Sequence, residues 1–88
     1  MAEMYDVLVK VISQQGTCGA EHKVGDEWII GSKTPEGICG AAFSSLLPFY
    51  WVLARGGSFS WATDPDTATV ACPDAKNPLV FELRRLRK

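Results

Sequence analysis

Three cysteines and a single histidine, Cys18, His22, Cys39 and Cys72, are the side chains of this 88-residue sequence best suited to chemistry. Thiolate sulfur and imidazole nitrogen are ligands that zinc and iron accept, and three of one with one of the other complete a tetrahedral site. Ligand type supports this Cys3His set more than spacing does. Cys18 and His22 form a Cys-x-x-x-His pair, whereas Cys39 and Cys72 stand alone and no Cys-x-x-Cys knuckle anchors them. The competing reading of each cysteine is packing, because free cysteine is among the residues most often buried. His22, on a Gly-rich polar stretch, reads as a surface residue.

A second chemistry centres on Cys39. It falls near the start of an expected helix, where the dipole and free N–H groups stabilise a thiolate, and a thiolate is a nucleophile. Glu36 and Asp74 are the carboxylates that could carry its proton. Each has an ordinary alternative, since Glu36 suits a first helical turn and Asp74, after Pro73, suits a turn.

Residues 4 to 13 alternate, with Tyr5, Val7, Val9 and Val11 on one side, and predict a first strand. The stretch from Gln14 to His22 breaks the pattern with two glycines and reads as a loop carrying two candidate ligands. Val24-Gly25-Asp26 is a turn into a second strand, Glu27 to Ile30, which can run antiparallel to the first. Thr34-Pro35-Glu36-Gly37 suits the opening of a helix that starts between Pro35 and Cys39. Its buried face would carry Phe43, Leu46, Leu47, Tyr50 and Leu53. Pro48 predicts a kink or a fresh short helix, and Gly56-Gly57 an end. Arg55 beside them would cap the helix C-terminus. After an irregular stretch from Phe59 to Pro65, strands are expected over Thr67 to Cys72 and Leu79 to Leu86, joined as a hairpin by the turn residues 73–78. The order β-β-α-β-β predicts one α+β domain over residues 1–88, a small antiparallel sheet covered on one face by a kinked helix or helix pair.

These elements pose a geometric question. Cys18 and His22 sit where the first strand hands over to the second, and Cys39 follows the second strand at the other end. The eight residues from Gly31 to Ile38 can span about 26 Å when extended, far enough to return. Without that return, Cys18, His22 and Cys72 could meet as a three-ligand site with an open position.

Composition narrows the partners. Ten acidic and nine basic residues give a formal charge of −1, and no broad positive field exists to attract nucleic acid or an anionic membrane. Four bases gather in Glu82 to Lys88, read as a solvated strand edge that discourages aggregation. The nearly unbroken apolar run Leu46 to Ala54 is nine residues, about half of a membrane span. Its aromatic centre, Phe49-Tyr50-Trp51, is apolar on every side. It either lies beneath the Phe59 to Trp61 loop or forms a patch for self-association, a homo-oligomer through helix 46–54. The first residues carry acids and lack a basic region followed by an apolar stretch, so a cytoplasmic location is expected, with the thiols free or metal-bound rather than paired in disulfides.

Taken together, Cys18, Glu21-His22-Lys23-Val24-Gly25-Asp26, Pro35-Glu36-Gly37-Ile38-Cys39, Gly56-Gly57, Trp61 and Cys72-Pro73-Asp74 resemble the pattern of a group of small, functionally uncharacterised stand-alone proteins of bacteria and archaea, many from anaerobes. The resemblance runs nearly end to end. It implies that the four candidate ligands and the Cys-Pro-Asp stretch belong to one shared pattern. It supplies no activity. Glu21 departs from the pattern, in which a glycine often precedes the histidine.

Overall fold

The computed structural model describes residues 4–15, 22–31, 33–72 and 79–86. Four strands and one helix follow in the order β1 (Val7–Gln14), β2 (Glu27–Ile30), α1 (Gly40–Ala54), β3 (Thr67–Ala71) and β4 (Leu79–Arg85). The class is the expected α+β, with every strand pair antiparallel and the sheet ordered β2-β1-β4-β3. The longest strands, β1 and β4, are central, and the short β2 and β3 form the edges.

Period-2 patterning sorts the two faces. Val7, Val9 and Val11 of β1 are fully buried, as are Phe81 and Leu83 of β4, while Ala68 and Val70 of β3 and Ile30 of β2 complete the inner side. Helix α1 lies across β3, β4 and β1 on that side. It buries Ala42, Leu46, Tyr50, Leu53 and Ala54; Phe43 and Leu47, expected in the buried stripe, are partly buried against its margin.

Three expectations about the helix need correction. It begins at Gly40, with Cys39 as an extended N-cap residue whose side chain makes no capping bond, so Thr34 and Pro35 do not open it. It also runs as one helix through Pro48, so of the two alternatives expected there the fresh short helix is absent. A proline inside a helix costs about 3 kcal/mol. Here Pro48 is exposed, and Leu46, Tyr50 and Leu53 on either side of it anchor the helix to the core. Finally, Arg55 does not cap the helix C-terminus with its guanidinium, which stacks 4.4 Å from the Trp51 ring centroid.

The helix ends as a Schellman motif. The Gly57 N–H donates to Val52 O at 2.8 Å and the Gly56 N–H to Leu53 O at 3.1 Å, with Gly56 at φ 85°. A side chain there pays for the left-handed backbone, so Gly56→Ala is expected to lower stability by about 1 kcal/mol in urea denaturation.

The basic end is not a solvated edge. β4 is a central strand, and Arg85 is only 4% exposed. Its phase explains this: Leu79, Phe81, Leu83 and Arg85 all point inward. Its Nη1 donates to Leu53 O and Gly57 O, both at 2.9 Å, and Nη2 to Pro65 O at 2.9 Å, while Nε reaches Asp66 Oδ1 at 3.1 Å. Arg85 thus holds the helix end, the Gly56-Gly57 turn and the 64–66 turn on one planar fork. Among the described residues no helix is long and apolar enough to cross a membrane.

Asp64 organises the same turn from outside. Its Oδ1 accepts the Asp66 N–H at 2.9 Å and its Oδ2 pairs with Arg84 Nη1 at 3.0 Å. The Asp66 N–H first, and the Arg84 hydrogen bond second, hold its carboxyl below the ordinary value, and the hydrogen bond to Asp64 raises that of Arg84. A folded-state carboxyl held below its unfolded value stabilises at pH above the unfolded pKa, and the contribution disappears as pH falls through the lower folded value. Stability measured from about pH 6 down to about pH 3 should fall, and Asp64→Asn should flatten part of that fall.

Candidate functional site

His22 is positioned by the turn that follows it. The Lys23 N–H donates to Asp26 Oδ2 at 3.1 Å and the Asp26 N–H to Lys23 O at 3.0 Å, with Gly25 at φ 98° in the left-handed region. Two further bonds, Gly25 N–H to Val11 O and Asp26 O from Val11 N–H, tie this turn to the end of β1. The turn holds His22 inward, and the residue is only 6% exposed, against the expectation of a surface position. Its ring meets Trp28 edge-on at 4.8 Å between centroids, and Trp28 in turn lies 6.3 Å from Phe81 in the core.

The buried imidazole is satisfied by the helix start. Its Nε2 accepts the Cys39 backbone N–H at 2.9 Å. An acceptor nitrogen carries no proton, so the neutral ring holds its proton on Nδ1. The segment 31–38 therefore does return to the end of the sheet where β1 hands over to β2, and the open topological question is answered for His22 and Cys39. Tyr50 helps fix that return, donating its hydroxyl to Gly31 O at 2.9 Å.

Cys72 stands at the same end. It follows β3, donates its N–H to Leu79 O at 2.9 Å, and receives the Leu79 N–H on Sγ at 3.5 Å. Leu79 pairs with Gln14, the last residue of β1, from which the chain leaves toward Cys18. Cys39 and Cys72 are both free thiols, partly buried against the core. An N–H directed at sulfur is the type of outer contact that orients a thiolate ligand.

The grouping stops short of a formed metal centre. Among the described residues, no three His, Cys, Asp or Glu side chains stand close enough to hold one ion. Cys18 and Asp74 lie outside the described residues, as does the turn 73–78. Glu36 is exposed, and no hydrogen bond or ion pair engages it among the described residues. What the fold brings together directly is His22 with Cys39. Sequence reasoning missed Trp28 as the wall of this site and Arg85 as the anchor of the opposite helix end. The inward phase of β4 was a usable signal for Arg85. For Trp28 there was none beyond its place on β2.

The aromatic run is divided between core and surface. Tyr50 is buried, and Phe49 packs on Phe59 at 5.3 Å, which packs on Trp61 at 5.0 Å. Trp51 and Trp61 remain 44% and 71% exposed. No family model, curated protein or solved structure matches this chain.

Proposed function

We propose that this is a small metal-binding protein that holds one zinc or iron ion through Cys18, His22, Cys39 and Cys72. The observation that carries the reading is the hydrogen bond between His22 Nε2 and the Cys39 N–H. It brings a buried imidazole to a cysteine at the end of the sheet where Cys72 closes β3 and the chain departs toward Cys18. Three sulfurs and one nitrogen are the donors a tetrahedral zinc or iron site uses.

Binding through Nε2 has a structural requirement. Holding a metal at Nε2 would require that atom to give up the Cys39 N–H, which could then serve a sulfur ligand as an outer-shell donor. Cys18, Cys39 and Cys72 would supply the sulfur ligands. Such a site is at home in the reducing cytoplasm, where thiols stay unpaired. The near-neutral charge speaks against nucleic acid or a membrane surface as partner.

Metal quantification on protein purified anaerobically, without an affinity-tag metal, tests the proposal. One zinc or iron per chain is expected. Substoichiometric amounts of both would overturn it, and fast alkylation of Cys39 in that same metal-free protein would favour a nucleophilic thiol instead.

A further inference from the structure

Among the described residues, one face of the sheet has no layer over it. Helix α1 covers the inner side, and the alternation along each strand sends the other residues outward: Leu8, Lys10 and Ile12 on β1, Val80, Glu82 and Arg84 on β4, Glu27 and Ile29 on β2. An antiparallel sheet with one solvated face usually reads polar on it. Here Ile12 is 43% and Ile29 53% exposed, with Leu8 and Val80 half-buried beside them.

The registers arrange these residues in rows. Leu8 stands between Ile29 and Arg84, and Lys10 between Glu27 and Glu82. The β1/β4 register shifts between Val11 and Ser13, so Ile12 and Ser13 are both exposed beside Val80. Charge thus crosses the middle of the face, with aliphatic side chains above and below it. Arg84 is paired to Asp64 and Glu82 within the chain. Lys10 has a carboxylate-bearing neighbour on each side but no ion pair within 4.0 Å among the described residues.

We propose that this face is covered by a second copy of the same chain, related by a two-fold axis parallel to the strands between β1 and β4. The argument is charge complementarity. That axis lays β1 of one copy over β4 of the other and keeps each row on itself. Lys10 then meets the partner copy's Glu82 twice, reciprocally, and Ile12 meets the partner copy's Val80 twice. An axis running across the strands through that row would instead stack Lys10 on Lys10 and Glu82 on Glu82, which like-charge repulsion disfavours. Self-complementary patches of this kind make isologous dimers, and stacked sheets keep their strands within about 30° of each other, so the pairs nearest the axis stay in register. Four strands spaced about 4.8 Å apart give a face about 19 Å wide, a small interface. The helix face is the weaker candidate because Phe49 and Tyr50 are spent inside the chain and Arg55 stacks on Trp51.

Sedimentation equilibrium of the full chain over a range from about 1 μM to about 1 mM tests this. Mass should rise from 9.6 kDa toward twice that value. Lys10→Glu and Glu82→Lys should each weaken association at least about tenfold, and the double exchange should restore it. Ile12→Asp should abolish it, with circular dichroism confirming that each variant is folded. A monomer throughout the range would overturn the proposal. So would a dimer indifferent to Lys10→Glu and Ile12→Asp, or one lost instead in a Trp51→Ser/Trp61→Ser variant.

Discussion

Replacing Arg85 with methionine is expected to cost about 3–5 kcal/mol of stability, the largest effect of any single substitution considered for this chain. The side chain is buried, and its removal takes the donors from the Gly57 and Pro65 carbonyls, one donor from Leu53 O, which keeps the Gly56 N–H, and an ion pair from the Asp66 carboxylate. Methionine fills the volume but donates nothing. A domain of this length is stable by about 4–13 kcal/mol in total, so the variant should sit near its unfolding limit at room temperature. Arg85→Lys should rescue little, because one ammonium cannot reach acceptors on three separate segments in the plane that the guanidinium spans. Urea midpoints of the three proteins measure this. A loss under about 1 kcal/mol would mean that the fork contributes orientation without net stability.

The second large effect concerns the four proposed ligands. Serine in place of Cys39 or Cys72, or alanine in place of Cys18, is expected to weaken zinc binding at least about 100-fold in competition with a chromophoric chelator, since even outer-shell changes reach that size. Fold and binding can be separated here, because Cys39 and Cys72 are only partly buried and their serine variants should keep the circular dichroism of the parent. His22→Ala is different. It loses a ligand and also leaves the Cys39 N–H without its acceptor and Trp28 without its edge-on neighbour. It should therefore lose affinity and stability together, by about 1–3 kcal/mol in the latter case. Retained stoichiometric zinc in the Cys39 and Cys72 variants would remove those residues from the ligand set.

Periodicity made much of this fold legible. The alternation in Tyr5 to Val11 marked the first strand, though not that it and the fourth would be central, and the spacing of Leu46, Tyr50 and Leu53 marked the face that α1 buries. What misled was local reasoning about residues whose partners are distant in sequence. Pro48 reads as a break until core contacts on both sides of it are counted. Arg84 and Arg85 look alike as two adjacent bases, yet alternation sends one to Asp64 at the surface and the other into the helix end. Arg55, nearest the helix terminus in sequence, loses the capping role to Arg85 from 32 residues away. For the site, the candidate residues could be named from their types, but the approach of Cys39 to His22 required the path of residues 31–38, which composition leaves free. The burial of His22 was equally hidden, because polar neighbours surround it in the chain and Trp28 surrounds it in space.

X-ray absorption at the zinc edge, on anaerobically loaded protein, probes the proposed centre most directly. The account predicts three sulfur scatterers at about 2.3 Å and one imidazole nitrogen at about 2.0–2.1 Å around a single ion per chain. A shell of oxygen and nitrogen alone, or zinc that washes away from the unmodified protein, would contradict it.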